Sequence, residues 1–96
     1  MISSFRSKTA RDIFDQTNSR EARKLPEDLW TIAFRKLDLL DTAVVLEDLR
    51  YPPGNRLEAL KGDLKGYHSV RINDQWRLIF RWNNGLVQEV DIVDYH

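Results

Sequence analysis

The stretch Tyr67-His68-Ser69-Val70-Arg71-Ile72-Asn73-Asp74-Gln75-Trp76-Arg77-Leu78-Ile79-Phe80-Arg81-Trp82-Asn83-Asn84-Gly85 decides the fold. Over residues 67–72, His68, Val70 and Ile72 fall on one side of an extended chain, and Tyr67, Ser69 and Arg71 on the other. That is a strand with one buried face, because successive side chains in extended backbone point to opposite sides. Asn73-Asp74 reads as a turn, after which Trp76, Leu78, Phe80 and Trp82 form one face opposite Arg77, Ile79 and Arg81. Asn83-Asn84-Gly85 is a strong hairpin signal, and residues 86–93 make the last strand. Just upstream, residues 56–60 predict one further strand, and Lys61-Gly62-Asp63-Leu64-Lys65-Gly66 a turn with two glycines.

Working back toward the N-terminus, the period lengthens. Leu29, Trp30, Ala33, Phe34, Leu37 and Leu40 recur at steps of three and four, the spacing of an amphipathic helix. Pro26 suits a first helical turn, and Glu27 and Asp28 suit the positive end of the helix dipole. The helical pattern breaks near Asp41-Thr42, resumes over residues 43–49, and stops at Pro52-Pro53-Gly54-Asn55. Ser7 caps a predicted short helix reaching about Gln16, and residues 2–5 are long enough for an opening strand. Helices first and strands afterwards make an α+β domain. The expected architecture is N-terminal helices packed on a twisted, mainly antiparallel four- to five-stranded sheet, whose other face is polar and carries arginines.

The composition agrees with one such domain over residues 1–96. Charged residues make up 31% of the 96 residues and hydrophobic ones 42%, a globular balance. There is no cysteine, hence no disulfide framework and no thiolate metal site. No apolar run approaches the roughly 18–20 residues of a membrane span, and residues 1–6 contain no signal-like apolar stretch, so a cytoplasmic protein with no membrane partner is expected. The net charge is zero, but residues 50–82 hold seven Lys and Arg against three Asp and Glu. Local basicity within overall neutrality suits either a focused polyanion site or a solvated strand face.

The chemistry-bearing residues cluster in the same half. Two histidines without cysteine, and scattered carboxylates, form no metal-ligand pattern, and there is no phosphate-binding glycine loop or nucleophile elbow. No cofactor is expected. The remaining set is Arg56, Lys61, Lys65, Arg71, Arg77, Tyr95 and His96. Metal-free RNA cleavage uses such a set: a 2′-hydroxyl loses its proton as it attacks phosphorus, fixed cations take up charge on the phosphorane, and the leaving 5′-oxygen gains a proton. Each residue also has a structural reading. Lys61 would be an exposed turn residue, Arg77 a sheet brace, His68 a packed histidine and His96 a terminal one.

The run Pro52-Pro53-Gly54-Asn55-Arg56-Leu57-Glu58-Ala59-Leu60-Lys61-Gly62-Asp63, the run Gly66-Tyr67-His68-Ser69-Val70-Arg71-Ile72-Asn73-Asp74-Gln75-Trp76-Arg77 and the ending Glu89-Val90-Asp91-Ile92-Val93-Asp94-Tyr95-His96 resemble the HigB branch of the RelE/ParE toxins. The opening Met1-Ile2-Ser3-Ser4-Phe5 is similar as well, so the resemblance spans nearly the whole chain. It implies a RelE-like fold and a type II toxin that enters the ribosomal A site and cleaves mRNA during translation. The implied partner is a helix-turn-helix antitoxin, HigA-like, through which alone the toxin reaches operator DNA.

By motif, Lys61 and Arg77 would stabilise the scissile phosphate, and Asp94, Tyr95 and His96 would complete the catalytic set. Arg56, Lys65, Arg71 and Tyr67 are then the expected RNA contacts. Some family members carry a histidine three residues before the lysine; here that position is Glu58, which would serve as a base or repel phosphate. The alternative readings are a toxin of the same fold that inhibits DNA gyrase, and a catalytically weakened binding module.

Overall fold

The Ser7 hydroxyl accepts a hydrogen bond from the Ala10 amide at 3.1 Å and so starts helix α1, Lys8–Phe14. Residues 1–95 are described by the computed structural model. Ala10 and Ile13 of α1 are buried, and so is Asp12, whose carboxylate accepts from Ser19 Oγ at 2.6 Å and Lys8 Nζ at 2.9 Å. The Ser19 hydrogen bond, then the Lys8 one, holds its carboxyl below the ordinary aspartate range.

Pro26 leads into a tight turn, Glu27–Leu29, and then helix α2, Trp30–Thr42. Ala33, Leu37 and Leu40 form its buried stripe. Beyond it the expected helical resumption over 43–49 is only a single 3-10 segment, Leu46–Arg50. The Asp48 carboxylate accepts from the Val44 and Val45 amides there and satisfies the start of a turn too short to become a helix. Among the described residues no helix is long and apolar enough to cross a membrane.

Four strands follow: β1 Glu58–Ala59, β2 His68–Arg71, β3 Trp76–Asn83 and β4 Leu86–Asp94. They form one antiparallel sheet in the order β1-β2-β3-β4. Asn84 and Gly85 both have positive φ, 49° and 87°, as a two-residue hairpin turn with the strands' twist requires. In register, Ala59, His68 and Phe80 line up across three strands, as do Arg71, Arg77 and Val93. The face bearing Val70, Ile72, Leu78, Phe80, Val90 and Ile92 packs with Ile13, Leu37 and Leu40 of the helices into one core.

Three further expectations change. The predicted strand over 56–60 shrinks to two residues: Arg56 sits in the left-handed region (φ 47°, ψ 57°), and beyond Ala59 the pairing continues only as the in-register bond from the Leu60 amide to the Tyr67 carbonyl. Residues 2–5 make isolated parallel bridges to β4, Ile2 with Val87 and Phe5 with Val90, instead of a regular strand. The two bridges flank Gln88 and Glu89, where β4 is irregular and Glu89 has φ 51°. Finally, the polar sheet face is not open throughout: Ile79 is 1% exposed and Ser69 3%. Long arginine side chains cover apolar surface with their stems while their heads stay polar.

Candidate functional site

Lys61 is extended (φ −126°) and enters the short 3-10 turn Gly62–Leu64. Gly62 has φ +65°, and no atom would crowd a Cβ there, so glycine is demanded by backbone conformation and not by space. The turn closes on itself: the Leu64 amide donates to the Lys61 carbonyl and the Lys65 amide to that of Gly62. It forms one lip of a cleft of about 350 Å³ lined by Glu58, Ala59, Leu60, Lys61, Leu64 and Tyr95. The neighbouring β1 brings Glu58 to the same cleft as Lys61 and Tyr95.

Arg77 is not among these lining residues but contacts one of them, Tyr95. Its guanidinium carbon is 5.1 Å from the centroid of the Tyr95 ring. Strand β3 holds it directly between Arg71 on β2 and Val93 on β4. Arg71 is already paired with Asp74 through Nη2. Arg77 is not so provided: its buried Nη1 has no hydrogen-bond partner among the described residues. A buried cationic donor held without an acceptor is costly to the folded state.

The Tyr95 amide is anchored to the Gln75 carbonyl, which continues β4 pairing by one residue. Asp94 stands opposite Trp76 in the register, and its carboxylate accepts from Gln75 Nε2 at 3.1 Å. Thus Lys61, Glu58 and Tyr95 share one cleft, Arg77 contacts it through Tyr95, and Asp94 is placed beside its end. His96 lies outside the described residues. Of the expected RNA contacts, Lys65 is exposed at the end of the Lys61 turn and Arg56 is exposed just before β1. Arg71 is half-buried and flanks Arg77.

Tyr67 offers no free ring. It is 6% exposed, its hydroxyl donates to Glu89 Oε1 at 2.7 Å, and the guanidinium groups of Arg81 and Arg6 sit over its ring at 4.5 and 5.6 Å. His68 stacks on Phe80 at 5.8 Å between centroids, and burial lowers its pKa below the usual histidine range. Sequence reading missed Arg81 and Glu89, which join this cluster because of the β4 irregularity; the short-range pattern carries no sign of it. It also missed Asn55, which is fully buried, donates to the Leu49 and Tyr51 carbonyls and accepts from Lys36 Nζ. Burial, and then the charge of Arg71, lowers the Lys36 pKa. Among the described residues, no group of three or more histidine or acidic side chains is placed to hold a metal ion.

Residues 3–96 match the family model described as HigB-like toxin, a RelE-like toxin of the type II toxin-antitoxin system HigB. Over 69 residues the chain is 48% identical to Toxin HigB-1 of Vibrio cholerae serotype O1, covering 72% of this chain and 73% of that one. Over 61 residues it is 34% identical to Endoribonuclease HigB of Proteus vulgaris, covering 64% and 65%. Among solved structures, the YoeB-YefM toxin-antitoxin complex of Staphylococcus aureus superposes with a TM-score of 0.59 at 19% identity, covering 100% of this chain and 98% of that one. A mutant YafQ from E. coli superposes at 0.58 with 20% identity, covering 98% and 93%.

Proposed function

The chain belongs to the HigB family of RelE-like toxins of type II toxin-antitoxin systems, and from that premise we propose how its cleft cleaves RNA. It is an endoribonuclease whose partner is an antitoxin, and its substrate on this reading is mRNA in the ribosomal A site. Residues 1–96 act as one cytoplasmic toxin domain. The observation that carries the reading is the unpartnered, buried edge of Arg77 beside a cleft that presents Lys61, Glu58 and Tyr95 together.

The scissile phosphate sits on Arg77 and Lys61, whose fixed charges are worth more as the phosphorane gains charge than in the ground state. Glu58 is the lining carboxylate that takes the proton of the attacking 2′-hydroxyl. Tyr95, with His96 and Asp94, completes the site and returns a proton to the leaving 5′-oxygen. Arg56, Lys65 and Arg71 hold flanking phosphates. With overall neutrality the protein has little non-specific attraction for RNA, so the ribosome supplies the strand and its orientation. The antitoxin is of the helix-turn-helix kind and carries operator DNA binding for the pair.

The test is cleavage of a defined mRNA by purified protein, with and without translating ribosomes, mapped by primer extension. Cuts that need ribosomes and disappear in Lys61→Ala and Arg77→Ala are expected. Cuts on free RNA would refute ribosome dependence. No cuts in either setting would refute the endonuclease reading and turn attention to gyrase.

A further inference from the structure

The Lys61 turn is exposed and short, yet it must hold an ammonium at one place in the cleft. Both of its ends run to a single residue. The Leu60 amide donates to the Tyr67 carbonyl at 2.9 Å, and the Tyr67 amide donates to the Leu64 carbonyl at 3.0 Å. Between them, Gly66 (φ +96°) brings the backbone so close to Arg81 that a Cβ there would lie 2.8 Å from Nη1.

The Tyr67 side chain is itself caged. Arg81 covers its ring, and the Glu89 carboxylate is shared, Oε1 accepting from the Tyr67 hydroxyl at 2.7 Å and Oε2 lying 3.1 Å from Arg81 Nε. The contacts close a triangle of Tyr67, Glu89 and Arg81. The Glu89 amide donates to Ser4 Oγ at 2.9 Å, and Arg6 adds a second guanidinium over the ring while its Nε sits 3.7 Å from Asp91. So the β4 irregularity, β3 and the N-terminal segment converge on the residue that ties both ends of the turn.

We propose that Tyr67, Arg81 and Glu89 are positioning residues that hold the Lys61 turn at the cleft. The proposal rests on the reading of Lys61 as a phosphate-binding residue. Arg81 and Glu89 are 43% and 49% exposed, so their ion pair adds little global stability. What they fix is a position, and displacement of a reacting group by about 1 Å costs on the order of 100-fold in rate. This assignment gives Tyr67 a part in catalysis without contact with RNA.

Two readouts on Tyr67→Phe test it, the second variant being Arg81→Lys, which keeps the charge but loses the planar fork. First, amide exchange: the Leu64 and Lys65 amides are expected to exchange about tenfold faster, the equivalent of roughly one hydrogen bond. The β2–β3 ladder amides should stay within about twofold, because global stability is little changed. Second, kinetics on translating ribosomes: kcat should fall at least about tenfold with KM within about twofold, the pattern of a lost transition-state interaction. Unchanged exchange in the turn, or a loosened turn with normal kcat, would overturn the proposal. If Tyr67→Phe does not fold, Arg81→Lys decides by the same comparison. A wild-type protein that cuts no RNA would sink the endonuclease reading alone, and the exchange contrast would still decide whether the cage orders the turn.

Discussion

Arg77→Met separates binding of phosphate from support of the sheet. Methionine keeps an unbranched stem on β3 and removes the guanidinium. The loss is the cation–π contact with Tyr95 at 5.1 Å. Because Tyr95 is 44% exposed, that contact is worth about 0.5–1 kcal/mol. The relief is larger. A buried donor without an acceptor costs about 1–3 kcal/mol, and the like charge of Arg71 directly across the strand adds about 0.2–1 kcal/mol of repulsion. The variant should therefore be about 1 kcal/mol more stable than wild type in the absence of an anion, melting about 4–8 °C higher for a domain of this size. Inorganic phosphate should reverse the order. At ten times its Kd a bound anion stabilises the wild type by about 1.4 kcal/mol, and the variant, left with Lys61 alone, gains less. The assay is thermal unfolding followed by circular dichroism across a phosphate series, with RNA cleavage measured in parallel and lost in the variant. A variant that melts lower than wild type without phosphate, or one that gains equally from it, would refute the reasoning and make Arg77 a structural brace.

Three further outcomes are expected. Gly62→Ala should cost about 1 kcal/mol by forcing a side chain into φ +65°, with no steric clash to add to it; equal urea midpoints for variant and wild type would show that the conformation is not imposed. Asn55→Ala removes the donor to the Leu49 and Tyr51 carbonyls and the acceptor of Lys36, and should cost about 2–3 kcal/mol in denaturant unfolding. Asp12→Asn should lower the melting temperature at neutral pH. The native carboxyl titrates below the ordinary value of 3.8, so its stabilisation is complete above that pH and fades as pH falls through the lowered native value. The gap between variant and wild type should accordingly close in acid, and a gap that stays constant would contradict the linkage.

The sheet was legible because its cues are local. The period of two in residues 67–82 placed Val70, Leu78 and Phe80 in the core and Arg77 opposite them, and Asn84-Gly85 carried its own turn chemistry. Ser7 and the stripe of α2 were legible for the same reason. What stayed hidden depends on partners distant in the chain. Tyr67 reads as an outward residue by alternation, and it does lie on that face, but Arg6 and Glu89 enclose it from 61 and 22 positions away. Asn55 reads as a helix stop, yet its amide organises a buried bend whose need for donors no local pattern reveals. Lys61 and Arg77 were singled out by charge and motif, and the fold puts Lys61 on the cleft and Arg77 against Tyr95. The unpartnered edge of Arg77 was not legible, since only packing decides which guanidinium nitrogen meets an acceptor.

The bridges of residues 2 and 5 to β4 have a bearing on synthesis. The four strands form a simple meander in which each pairs with its sequence neighbour, the kind of topology that closes quickly through short loops. The contacts of the first six residues span some of the greatest sequence separations in the fold: Ser3 to Val87, Ser4 to Glu89, Arg6 to Asp91. During translation the N-terminal segment must wait for β4, the strand that also leads to Asp94 and Tyr95. The brace formed by the N-terminal segment is therefore completed late. The cage around Tyr67, which draws Arg6 from before α1 and Glu89 from β4, closes only then.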